Sequence, residues 1–187
     1  MKYQAVVIGT SLGGMEALKI ILTSLPRDFS LPILIVQHLS AHSDSFLAKY
    51  LDNICEIEVK EADEKERVIS GCAYIAPPNY HLMVEKEGHL ALSVDEKVNY
   101  ARPSIDVLFE SAADAYRDQL IGVILTGANS DGAWGIRQIK ENGGTTIVQE
   151  PKTAVSSIMP SAAIKSADID YIVPLSYIGE LLNLLAE

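Results

Sequence analysis

Ser11 stands between glycines, in Gly9-Thr10-Ser11-Leu12-Gly13-Gly14. The β-branched run Val6-Val7-Ile8 precedes it, and a helix-like stretch begins near Met15. The local reading is strand, tight turn, helix. The spacing Gly9-x-Ser11-x-Gly13 fits a nucleophile elbow, in which a strained strand-to-helix turn pushes a serine hydroxyl out of the strand end. A helix N-terminus just beyond offers unpaired N–H groups and a positive partial charge, and both suit a developing oxyanion. Two other readings fit the same residues. One is the first βα turn of a nucleotide-binding Rossmann unit. Its fingerprint needs a glycine where this chain has Ser11, and an acidic residue about 20 positions on, where the second apolar run ends in Gln37-His38. The other is a plain structural turn.

A catalytic serine needs a base and an orienting acid at other strand ends. The chain has four histidines. His38 directly follows a buried-strand pattern, His42 lies four residues on, and His81 and His89 belong to a hairpin pattern. A neutral imidazole at His38 could take the serine proton and return it to a leaving group. Asp131 ends the small-residue turn Thr126-Gly127-Ala128-Asn129-Ser130-Asp131-Gly132. It could hold the histidine tautomer, or Ser130 or Asp131 could simply cap the next helix. The order Ser, His, Asp differs from that of the α/β-hydrolases, but geometry defines a triad, not order. His38 and His42 as a metal pair are a poor fit, since no carboxylate cluster joins them.

The elements that must position these residues are legible as a pattern. Continuous apolar runs at residues 4–8, 31–36 and 120–125 read as strands buried on both faces. Shorter ones fall at 57–59, 145–148 and 171–173. Helical spacing marks residues 14–24, the stretch from Phe46 to Leu51 capped by Ser43 or Asp44, a helix opened by Pro103, one running to about Asn142, and a closing helix over 176–186. Residues 153–166 hold one or two short helices interrupted at Pro160. In the middle, residues 67–75 read as extended segments, and 81–84 with 90–94 as a β-hairpin around Lys86-Glu87-Gly88. The expected fold is α/β. It is a doubly wound, mostly parallel, Rossmann-like sheet with helices on both faces and an inserted antiparallel β-hairpin. Sites in such sheets lie beyond the carboxyl ends of the strands, where Ser11, His38 and Asp131 fall.

Composition sets the remaining bounds. The 187 residues fit one domain over 1–187, with 48% hydrophobic and 21% charged residues. A net charge of −10 argues against nucleic acid and anionic membrane surfaces as partners. No signal peptide and no run of membrane-spanning length is present. Cys55 and Cys72 read as reduced thiols of a cytoplasmic protein.

With these residues in hand, the chain closely resembles the catalytic domain of the chemotaxis protein-glutamate methylesterases, the CheB family. The matching stretches are Ile8 to Gly14, Gln37-His38, and Gly71-Cys72-Ala73-Tyr74-Ile75-Ala76-Pro77. Arg102-Pro103-Ser104-Ile105-Asp106-Val107-Leu108-Phe109 follows, then Gly122 to Gly127 with Asp131-Gly132-Ala133. They occur in the family's order over nearly the whole chain. The resemblance implies a Ser11, His38, Asp131 triad that hydrolyses glutamyl methyl esters on methyl-accepting chemoreceptors and releases methanol, with no metal or cofactor. Some members also deamidate receptor glutamines. On that mechanism the amides near Leu12 and Ala128 would stabilise the oxyanion, and Arg102 is either a contact for acidic neighbours on a receptor helix or a plain surface or helix-entry arginine. Family members usually carry a receiver domain that controls them. For this chain such control is expected to be absent or to come from elsewhere, such as a receiver domain or other regulator in trans. Two departures stand out. Leu12 replaces a common hydroxyl residue, and Gly127-Ala128-Asn129-Ser130-Asp131 replaces the common Gly-Met-Gly-Asn-Asp. A catalytically silent receptor- or regulator-binding module on the same fold is the alternative function.

Overall fold

The structure, a computed structural model, describes residues 2–40, 44–85 and 87–187. His42, the cap candidate Ser43 and Lys86 lie outside the described residues. The strands are β1 (Ala5–Thr10), β2 (Ile33–Gln37), β3 (Glu58–Glu61), β4 (Cys72–Ile75), β5 (His81–Val84), β6 (Leu90–Ser93), β7 (Leu120–Ile124), β8 (Thr145–Gln149) and β9 (Tyr171–Val173). The helices are α1 (Gly14–Leu22), α2 (Phe46–Asp52), α3 (Ile105–Tyr116), α4 (Ala133–Glu141), α5 (Ile158–Ser166) and α6 (Leu175–Ala186). Seven strands form one parallel sheet in the order β3-β4-β2-β1-β7-β8-β9, and β5 pairs antiparallel with β6.

Alternation along each strand divides the core into two faces. Val6 and Ile8 of β1 with Ile33 and Ile35 of β2 pack under α1, α2 and α6, through Leu18, Leu51 and Leu182 among others. Ala5 and Val7 with Leu34 and Val36 pack under α3, α4 and α5, through Phe109, Ile136 and Met159. Every residue of β1 and β2 is buried. This is why these strands read as continuous apolar runs rather than alternating ones. The hairpin adds Leu82, Val84 and Leu90 to the second face.

The doubly wound sheet and its hairpin agree with expectation. Two details differ. Residues 72–75, read only as part of the extended segments of the antiparallel middle, belong to the main sheet. They form β4, which pairs parallel with both β2 and β3. Its four buried residues are too few to show a period. Pro160 does not interrupt a helix either. It lies in the first turn of α5, where a backbone N–H has no intrahelical acceptor to lose. Among the described residues no helix is long and apolar enough to cross a membrane.

The order places β1 between β2 and β7, where the chain switches from one side of the sheet to the other. Thr10 pairs with Gln37 and Gly9 with Ile124. The ladder continues past these pairs. The His38 N–H donates to the Thr10 carbonyl at 3.1 Å, and the Ser11 N–H to the Thr126 carbonyl at 3.0 Å. Three adjacent strands therefore end at one level. At Gly9 the strand and α3 meet without room for a side chain, since a Cβ there would lie 2.3 Å from Ile105 Cγ2. Gly9→Ala is expected to cost about 1–3 kcal/mol by overpacking, read as a lower urea midpoint with an unchanged slope.

Candidate active site

Ser11 leaves β1 with its backbone fully engaged. Besides its amide bond to Thr126, its carbonyl accepts the Gly14 N–H and the Gln37 side-chain amide, each at 2.9 Å. The residue is half-buried and lines a cleft of about 280 Å³ with His38, Asn79, Asn99, Arg102 and Asn129. The turn differs from a strained elbow in one respect. The left-handed backbone falls on Gly13, with φ 82°, and Ser11 is not among the residues of positive φ. A Cβ at Gly13 would also stand 2.7 Å from Val155. Glycine at 13 thus bends the chain and admits the 150s loop, while the serine does not take a positive φ.

His38 ends β2 on the adjacent strand. Its Nε2 lies 2.7 Å from Asp131 Oδ2. Its Nδ1 lies 3.3 Å from the Asn129 side-chain nitrogen. The tautomer follows from the network. The Asn129 oxygen accepts the Asp131 N–H at 3.1 Å, so the NH2 end of that carboxamide faces the imidazole. Nδ1 is therefore the acceptor, and Nε2–H donates to Asp131.

Asp131 is fully buried. It caps no part of its own helix, since α4 begins after Gly132 with no side-chain cap. Its carboxylate instead receives the N-terminus of α3. Oδ2 accepts the Ile105 N–H at 2.7 Å, and Oδ1 accepts the Asp106 N–H at 3.2 Å, the Ser104 hydroxyl at 2.9 Å and the Asn99 amide at 2.9 Å. Burial pushes its pKa up. The His38 bond, the Asn99 amide and the Ile105 N–H outweigh that and hold the carboxyl below its ordinary range. Asp106 shows the opposite balance. Burial raises its pKa, the Gly135 N–H works against this, and the charge of Asp131 adds to the rise.

The remaining expected residues are placed as follows. Leu12 exposes its side chain, and its carbonyl accepts the Thr126 hydroxyl at 2.8 Å. Ala128 is exposed on the facing turn. Among the described residues neither amide N–H of this pair donates to a protein acceptor. Arg102 borders the cleft, and four of its five guanidinium N–H groups are engaged. Nε and Nη2 donate to Asn79 Oδ1 at 3.2 and 2.9 Å, and Nη1 to the Val94 and Asp95 carbonyls at 2.7 and 2.8 Å. His81, buried in the hairpin, braces the site from behind. Its Nδ1 accepts the Ser104 N–H, and its Nε2–H donates to the Glu96 carbonyl. Sequence reasoning missed Asn99, Ser104, Asp106 and Asn129. Ser104 and Asp106 lie in the family-matching stretch and in the Ser-x-Asp spacing of an ordinary helix start, and Asn129 in the turn before Asp131, but nothing in those patterns marked them as site residues.

A crossing of helices at the strand-order switch, with polar groups gathered beyond the strand ends, defines a doubly wound α/β protein with its site at the switch point. The family model described as CheB methylesterase matches residues 6–182, and the chain belongs to that family. A Leptospira interrogans relative named putative protein-glutamate methylesterase/protein-glutamine glutaminase is 54% identical over 181 residues, covering 97% of this chain and 94% of its own. An Archaeoglobus fulgidus protein-glutamate methylesterase/protein-glutamine glutaminase is 41% identical over 178 residues. There the match covers 94% of this chain but 51% of the relative. The crystal structure of the Thermotoga maritima CheB methylesterase catalytic domain superposes with a TM-score of 0.94 at 38% identity, covering 98% of each chain. None of these names favours a silent binding module or a nucleotide site.

Asp131 binds its proton more weakly in the folded protein than in the unfolded chain. Its contribution to stability is therefore fully present above the ordinary carboxylate range and is lost as pH falls through that range and below. The stability gap between the wild type and Asp131→Asn, both of which keep Asp106, is expected to be widest near pH 7. It should narrow below about pH 4, as measured by urea unfolding at a series of pH values.

Proposed function

We propose that the chain is a protein-glutamate methylesterase that works through Ser11, His38 and Asp131. The observation that carries this reading is the imidazole of His38, held by a buried, ionised carboxylate at the strand end next to Ser11. The names of the relatives supply the substrate class. Ser11 Oγ attacks the ester carbonyl of a methylated glutamate, and its proton passes to His38 Nδ1. Asp131 stabilises the imidazolium through Nε2–H. The tetrahedral oxyanion lies against the amides of Leu12 and Ala128. As the tetrahedral intermediate collapses, the methoxide oxygen takes the proton from His38 and leaves as methanol. A water deprotonated by the same nitrogen then attacks the acyl-enzyme, and that proton returns to Ser11 Oγ as the glutamate is released. No step needs a metal or cofactor. A glutamine carboxamide could follow the same path with ammonia leaving.

The substrate we propose is a chemoreceptor segment, and an open cleft suits a protein chain better than a small molecule. Exposed Leu12 and Met15 beside Ser11 offer apolar contact to it. Arg102 enters this reading as a brace for the loops bordering the cleft, with one Nη2 N–H left to meet an acidic substrate neighbour. Methanol release from methylated receptor membranes tests the proposal. Ser11→Ala is expected to lose at least about 10³-fold in rate, and release that survives the substitution would remove Ser11 from the mechanism.

A further inference from the structure

Asn129 occupies a position that the mechanism does not use. It lies half-buried in the turn after β7, two residues before Asp131. Its side chain makes two bonds. Oδ1 accepts the Asp131 N–H at 3.1 Å, which fixes the orientation of the carboxamide. Nδ2 then points at His38 Nδ1, 3.3 Å away. Because Nε2 is committed to Asp131 at 2.7 Å, Nδ1 is the only lone pair left on the ring. This is the nitrogen that must receive the Ser11 proton. Among the described residues, the hydrogen bonds of that ring run to Asp131 and Asn129 and none to the Ser11 hydroxyl.

From this geometry we infer that Asn129 is a positioning residue that sits on the base nitrogen and sets how readily Ser11 can use it. The inference rests on the Ser11, His38, Asp131 reading. In the resting site the carboxamide holds His38 as the Nε2–H tautomer, with Nδ1 unprotonated, which is the form a general base needs. It also competes with the serine for that nitrogen and gives way before proton transfer. The contact is suited to doing so. At 3.3 Å it is near the long limit for a hydrogen bond. Such a bond is worth a factor of about five. Ser11, His38 and Asn129 line the same cleft, so a substrate entering it meets the carboxamide and the nucleophile together.

The test compares Asn129→Ser with the wild type. A serine hydroxyl can keep the turn by accepting the Asp131 N–H, yet it is too short to reach the imidazole. Covalent labelling of Ser11 by a small fluorophosphonate should become about fivefold faster, and methanol release should gain in kcat with little change in KM. The 15N resonance of His38 Nδ1 should move toward that of an unbonded, pyridine-type nitrogen. This shift separates contact with the base from a merely structural role. Asn129→Gly is the second variant, should the serine variant fold poorly. A labelling rate that stays the same or falls would overturn the inference. Labelling that persists undiminished in Ser11→Ala would instead overturn the underlying reading of the triad. The two failures are therefore told apart.

Discussion

Two buried carboxylates, exchanged between two helices, hold the site together. Asp131 stands just before α4 yet receives the first N–H groups of α3. Asp106 lies in α3 and receives the Gly135 N–H in the first turn of α4, at 2.6 Å. Each acid thus caps the neighbouring helix, and Asn99 bridges them by donating from one nitrogen to both. Buried charge is costly unless it is paired or richly hydrogen-bonded. The start of a helix is where unused donors and positive partial charge coincide. The exchange satisfies both helix ends and both acids at once. It also commits Asp131 to the ionised form and fixes the side from which His38 must approach.

How much of this was legible in the sequence depended on how local each signal was. Ser11, His38 and Asp131 stood out because each follows a buried-strand pattern, and the rule that sites gather beyond strand ends joins them without knowledge of contacts. The hairpin was legible from its paired short runs. β4 was not, because four buried residues carry no period, and only pairing with β2 and β3 shows where they belong. Pro160 read as a break because its place relative to the helix start cannot be judged before that start is known.

The missed residues have a common cause. Asn99 acts from a loop 32 positions away from Asp131 in sequence, and its type is as common in plain turns as in sites. Asp106 reads as an acid in the first turn of a helix, where it would favour its own N-terminus, whereas the packing of α3 on α4 turns it toward a neighbour. For Arg102, an acidic receptor helix suggested a contact, and nothing in the sequence showed that Asn79 and two carbonyls would also tie this side chain to the loops bordering the cleft. Residue type indicates which chemistry is available, and tertiary packing decides where it is used.

The backbone ladder reaches one residue beyond the paired strands, through His38 to Thr10 and Ser11 to Thr126. The backbone spacing of the proposed nucleophile and its base is therefore a property of the main chain. It follows the repeat of a parallel sheet, about 4.8 Å from strand to strand, and the two side chains reach out from that fixed frame. Helices and loops around the sheet can drift in sequence and reshape the cleft, while the two backbones at its floor keep their gauge. The sheet serves as a ruler for the proposed pair, and what varies around it is the wall of the cleft.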